Sequence, residues 1–190
     1  MTIRNKAYIA GAFEHPLRLA PDHSTPQLHA ECARGALADA GLTLADVDGY
    51  FCAGDAAGFG ALSMVDYLGI TPRHIDNTET GGSSYILHVA HAAAAMAPGQ
   101  RSVAPNTLAG RPRSEAFSAF RPGAPEAGFE NWVGQSTQNS YGMCAARHMY
   151  QYGTTSEQLA WIKVAASTHA QHNPHAMLRD VVTVADVLNS

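Results

Sequence analysis

Residues 73–99 read RHIDNTETGGSSYILHVAHAAAAMAPG. The segment at about 73–78 predicts a strand, the glycine pair at 81 and 82 turns the chain, and the alanine-rich stretch predicts a helix ending at Pro98-Gly99. A strand that feeds a helix through a glycine turn is one step of a layered α/β fold, and the flanking sequence repeats it. Upstream, Ala7-Tyr8-Ile9-Ala10-Gly11 is a short apolar run that predicts a buried strand. Ser24-Thr25-Pro26 supplies a cap and a first-turn proline, and Leu28, Cys32, Ala36 and Ala40 recur every four residues before Gly41, which predicts an amphipathic helix. LTLADVDGYFCAGD carries Val47, Tyr50, Phe51 and Cys52 into a glycine-rich loop, so a strand is expected near 48–53, with a short helix at Ala61 to Leu68. RSVAPNTLAG, at 101–110, predicts a fourth strand. From Arg111 to Gln138 the periodicity stops, and helices resume at about 139–152 and 155–172. The alternation of strand and helix predicts an α/β domain on a mostly parallel sheet.

Composition limits the function. The chain has 190 residues, 46% of them hydrophobic and 15% charged, enough to fill a core and too few for two full domains. Its 12 basic and 16 acidic residues give a net charge of −4 with no basic run, so nucleic acid is not an expected partner. No stretch is apolar enough for a membrane span and the first residues, MTIRNKAYIAGAFEHP, lack the apolar region of a secretory signal, which points to the cytoplasm. Cys32, Cys52 and Cys144 form no CxxC pair and are expected to be free thiols.

Several chemistries drop out on spacing. Gly54, Gly58 and Gly60 do not follow the dinucleotide-binding pattern, and G-x-S-x-G of the serine hydrolases is absent. His88 and His91, and His169, His172 and His175, recur at threes, but no carboxylate or cysteine completes a ligand set; the expectation is surface or packing histidines and no metal. Gly81-Gly82-Ser83-Ser84 stands apart because it opens a helix directly after a strand, where free N–H groups and the helix dipole favour negative charge. Ser83 or Ser84 serves there either as a plain helix cap or as part of an oxyanion-stabilising turn.

AYIAGAFEHP, HAECARGALADAGLTLADVDGYFCAG, ETGGSSYILHVAHAAAAMAPGQ, TLAGRPRSE, YQYGTTSEQLAWIKVAASTHAQHNPHAMLRD and VVTVADVLNS, read in order, resemble the N-terminal half of the thiolase superfamily. The likeness is to the sterol-carrier-protein or lipid-transfer type, which includes acetyl-CoA acetyltransferases. LADAGLTLADVDG and YGTTSEQLAWIKVAASTHAQHNPHA are its most specific pieces. The resemblance implies a layered α/β fold with a mixed sheet: a core at 1–110, an inserted loop domain at 111–175 that covers coenzyme A, and a return to the core at 176–190. It also implies an acyl-CoA thioester as substrate, no covalently held cofactor, a homodimer, and carbon–carbon bond formation or cleavage in lipid or steroid degradation.

Thiolases attack with a cysteine at the N-terminus of the helix after the third strand. Counting back from Gly99 places that position on Gly82; another register places it on Glu79. Neither is a cysteine, so the sequence departs from the family there. Glycine at this position also occurs in thiolase-like aldolases, which cleave a β-hydroxyacyl-CoA without an acyl-enzyme beside a small acyl-CoA-binding partner with a zinc ribbon and an OB-fold. The superfamily's general-base histidine, second cysteine and aldolase tyrosines belong to its second half, outside this chain. The expectations are therefore acyl transfer, an aldolase without the cysteine, or an inactive domain that binds CoA or a partner. Arg111 and Arg113 of the loop domain are the best candidates for phosphate contact, because a guanidinium fork matches phosphate oxygens; the competing account is that both are solvated loop charges.

Overall fold

The structure is a computed structural model and describes residues 7–53, 56, 58–95, 102–112, 114, 127–130 and 137–190. The chain divides into two compact units, Met1–Phe117 and Ser118–Ser190. In the first, helix α1 (Thr25–Asp39) starts where the sequence expects it: the Ser24 side chain accepts from the Gln27 amide at 3.2 Å, with a proline in the first turn. It ends in a Schellman turn, Leu42 N–H bonding to Leu37 O at 2.8 Å and Gly41 N–H to Ala38 O at 3.0 Å. Gly41 closes that turn at φ +70 with no atom within 4 Å of a would-be Cβ. Gly41→Ala is therefore expected to cost about 1 kcal/mol through backbone strain alone. Urea unfolding would check this, and a cost near zero would mean the helix end relaxes.

The buried stripe of α1 is Ala30, Ala33 and Leu37 with Leu28 and His29, a part-turn away from the expected Cys32, Ala36 and Ala40. Alanines at 30 and 33 let the helix lie close to the strand beneath it, and Cys32 is left half-buried at the margin.

Strands β1 (Gly49–Phe51) and β2 (His74–Asp76) pair in parallel, Gly49 opposite His74 and Phe51 opposite Asp76, with helix α2 (Ala61–Leu68) between them. Alternation along β1 sorts the layers. Tyr50 and Cys52 face α1 and α2, in a core with Ala30, Ala33, Met64 and Leu68. Phe51 faces the other way, its ring 6.0 Å from that of His88 on helix α3 (Ser84–Ala95). The unit is thus helix, sheet, helix.

The expected fourth strand runs alongside β1 without becoming regular. Gly49 N–H bonds to Val103 O, Phe51 N–H to Pro105 O and Thr107 N–H to Phe51 O, all at 3.0–3.2 Å in parallel register. Proline at 105 has no N–H, so the rung it would give Gly49 O cannot form, and what remains is an isolated Phe51–Asn106 bridge. Asp48 anchors the start of the sheet: its carboxylate accepts from Val103 N–H at 2.8 Å and pairs with Arg73 at 2.7 Å.

The strand expected at Ala7–Gly11 is not one. Tyr8 and Ile9 are 83% and 81% exposed and the segment joins no strand ladder. A short apolar run encodes a preference for burial, and only a neighbouring sheet edge can satisfy it.

The second unit contains α4 (Ala127–Glu130), α5 (Thr137–Tyr152), α6 (Ser156–Ala170) and α7 (Val184–Leu188). Thr155 with Gln158, and Thr183 with Asp186, form capping boxes on α6 and α7. α7 packs on α6, where the buried Ser167 hydroxyl accepts from Val182 N–H at 3.1 Å. No helix among the described residues is long and apolar enough to cross a membrane.

Candidate functional site

The connector from β2 to α3, residues 77–83, lies at the carboxyl end of the parallel strands, the edge where α/β sheets place their ligands. Its last turn is self-braced. Gly81 takes φ +76, its N–H bonds to Glu79 Oε1 at 2.7 Å, and the Ser84 hydroxyl accepts from Thr80 N–H at 2.8 Å while donating to Gly81 O at 2.7 Å. Of the two serines the sequence offered, Ser84 is buried and its hydroxyl braces the turn before the helix; Ser83 is exposed.

Gly82 is different from its neighbour. It has no positive φ, it is exposed, and a Cβ built on it meets nothing within 4 Å. Neither backbone geometry nor packing requires glycine there. Glu79, the alternative register, is committed to the turn through its carboxylate.

Behind the turn sits a polar cluster. Asp76 Oδ1 accepts from both the amide and the hydroxyl of Thr78, at 2.8 and 2.7 Å, and Asp76 Oδ2 accepts from His91 Nδ1–H at 2.5 Å. Burial works to raise the Asp76 carboxyl, yet the hydrogen bonds from Thr78 and His91 outweigh it and hold the group down at about 2. His88, completely buried, donates from Nε2 to Thr78 O at 2.9 Å. Sequence reading set these two histidines aside as surface or packing residues. Their spacing of three was the available signal, because it puts both rings on the connector side of α3.

A second polar group lies on the α1 side. The Thr107 hydroxyl is 2.6 Å from Tyr50 OH and 2.8 Å from His29 Nδ1, all three residues buried. Nothing in the sequence pattern marks this group. Arg111 donates to Pro21 O at 3.3 Å, bracing the loop before α1; Arg113 lies outside the described residues. Among the described residues, no group of three or more histidine, cysteine or acidic side chains is placed to hold a metal ion. The thiols are half-buried Cys32, buried Cys52 and exposed Cys144, none of them in the connector.

No family model matches the chain. It is 31% identical to an acetyl-CoA acetyltransferase of Methanothermobacter thermautotrophicus over 89% of this chain and 46% of the relative. It is 30% identical to a 17-hydroxy-3-oxo-4-pregnene-20-carboxyl-CoA lyase of Mycobacterium tuberculosis, over 86% of this chain and 45% of that one. A solved Ltp2-ChsH2(DUF35) aldolase superposes on 95% of the chain with a TM-score of 0.76 and 28% identity, and the match takes in 47% of that chain. Over most of its length the chain is thus similar to part of thiolase-superfamily proteins. It spans about half the length of the curated relatives it matches.

Proposed function

We propose that this thiolase-like protein acts on an acyl-CoA thioester as a carbon–carbon lyase of lipid or steroid degradation, without a covalent acyl-enzyme. The observation that carries the reading is Gly82: the turn opening α3 holds no thiol, and the space a side chain would occupy is open although the fold could accommodate one. In such a reaction a base removes the proton of the substrate's β-hydroxyl and the Cα–Cβ bond breaks. Its electron pair moves into the thioester as an enolate, and a carbonyl compound leaves. The enolate then takes a proton at Cα. A helix N-terminus beside the thioester favours the developing oxyanion. The relative's name as a CoA lyase and the neighbour's title as an aldolase support this reading over acyl transfer. The same reading gives the CoA phosphates to Arg111 and Arg113. It adds a homodimer and a separate acyl-CoA-binding partner, the latter supported by a neighbour whose title couples Ltp2 with ChsH2(DUF35).

The test uses 17-hydroxy-3-oxo-4-pregnene-20-carboxyl-CoA, the compound in the relative's name, with intact-mass spectrometry of the protein. The expected result is release of a carbonyl product and a shortened CoA thioester, with no acyl mass on the protein. An acyl adduct on the wild type, or CoA-dependent cleavage of acetoacetyl-CoA, would overturn the reading. A binding experiment runs independently of turnover. Gly82→Cys should fold as the wild type does, because its new Cβ meets nothing, and the CoA thioester should slow alkylation at position 82 several-fold. Alkylation at 82 indifferent to the thioester would move the ligand away from this turn.

A further inference from the structure

We propose that His88 and His91 are positioning residues for the α3 N-terminal turn, clamping the β2–α3 connector at Thr78 so that its amides are held in place for the CoA thioester. The proposal rests on the reading of this turn as the acyl-CoA site. It begins with a difficulty in the sequence. A connector carrying Gly81 and Gly82 has more backbone freedom than one without glycine, and a turn that stabilises a developing charge has to be held within a fraction of an ångström. The glycines cannot supply that order themselves.

Glu79 and Ser84 brace the last turn, and the order at Thr78 comes from deeper in α3. Side chains on a helix lean back toward its N-terminus, so residues one and two turns inside α3 reach the segment that precedes it. His88 reaches Thr78 O, and His91 reaches Asp76, which in turn accepts from the amide and hydroxyl of Thr78. All three polar groups of Thr78 are thereby fixed, the carbonyl from one histidine and the amide and hydroxyl through the other. These contacts also set the ring protons. His91 carries its proton on Nδ1, toward the carboxylate, and His88 carries its proton on Nε2, toward the carbonyl. The Nδ1 of His88 is then a buried lone pair that meets no donor among the described residues. Leucine would fill the same volume with no such penalty, so what histidine adds at 88 is the bond to Thr78.

The experiment compares His88→Leu and His91→Leu with His88→Gln and His91→Asn, whose amide groups can still donate. Hydrogen–deuterium exchange of the 77–84 peptide is the first readout. Each leucine variant should speed its exchange about tenfold, the factor implied by losing one hydrogen bond to a charged or buried partner. The β1 amides should be unchanged, and the amide-bearing variants should restore protection. Turnover of the lyase probe is the second readout: kcat should fall, by up to about a hundredfold for a displaced turn, with KM retained. His91 is partly exposed, so its variants carry the test if His88→Leu does not fold. Unchanged exchange in the leucine variants overturns the clamp. Faster exchange with kcat intact makes the histidines purely structural and overturns the positioning role. Faster exchange in a protein whose wild type turns nothing over overturns the acyl-CoA reading and, with it, the role assigned to the clamp.

Discussion

Thr107→Val is expected to cost about 2–4 kcal/mol of stability, because it removes one hydroxyl that serves two buried groups, each loss costing roughly 1–3 kcal/mol. The Thr107 side chain lies 2.6 Å from Tyr50 OH and 2.8 Å from His29 Nδ1. A hydroxyl has one hydrogen and two lone pairs, so it can donate to one neighbour and accept from the other, and valine of the same shape can do neither. The three residues come from α1, β1 and the 103–107 segment, so the hydroxyl ties that segment to the helix across the strand. This is the segment whose ladder lacks a rung at Pro105, which makes the side-chain tie more important there than in an unbroken strand. Urea unfolding monitored by circular dichroism measures the loss. Thr107→Ser keeps the hydroxyl and should cost only about 1 kcal/mol for the missing methyl. If valine and serine cost the same, the hydroxyl is not the tie described.

A second large effect concerns pH. Asp76 has an ordinary value of 3.8 and is held down at about 2 in the fold; burial opposes this, and the hydrogen bonds from Thr78 and His91 bring it about. A folded value below the unfolded one means that the native state binds its proton less readily. The stabilisation is therefore complete above about pH 4 and is lost as pH falls from there toward 2. With one unit worth about 1.4 kcal/mol, the contribution is at most about 2.5 kcal/mol, and solvent screening trims it because the His91 side chain is 36% exposed. Asp76→Asn should therefore be less stable than the wild type near neutrality and converge with it in strong acid. Unfolding curves collected across the acid range test this, and parallel curves for the two proteins would show that the carboxylate contributes nothing. The same carboxylate fixes Thr78, so the acid range should also loosen the connector before the Tyr50 core yields.

Where local chemistry is self-sufficient, sequence and structure agree. Helix α2 is Ala61–Leu68 as read, because Gly60 and Gly69 bound an apolar run and the two ends are decided within a few residues. The start of α1 follows from Ser24 and the adjoining proline, and its end from Gly41, for the same reason. Counting back from Gly99, which lies outside the described residues, gives Gly82, with Glu79 as the other register, and neither position carries a thiol in any fold.

Three-dimensional structure decided the rest. Whether an apolar run is a strand depends on a partner: Ala7–Gly11 and Gly49–Phe51 look alike in sequence, yet only the second finds one, in β2 and the 103–107 segment. Pro105 shows the reverse, since a residue unfit for a ladder is kept because its carbonyl and the Thr107 amide still complete two of the rungs. Which stripe of α1 faces inward turned on how closely Ala30 and Ala33 could approach the sheet, and a spacing of four is shared by several stripes. Least legible were the histidines. His29 meets a threonine 78 positions away and His91 an aspartate 15 positions away. Hydrogen bonds between side chains distant in sequence leave no periodic trace, because each depends on a contact that exists only once the layers have packed. Sequence by itself thus determined the ends of α1 and α2, the likeness to thiolases and the lack of a cysteine between 53 and 143, all of which are read along the chain. The strand partners, the inward stripe of α1 and the clamp on Thr78 were decided by tertiary structure, because each is an energy shared between segments that the chain brings together only on folding.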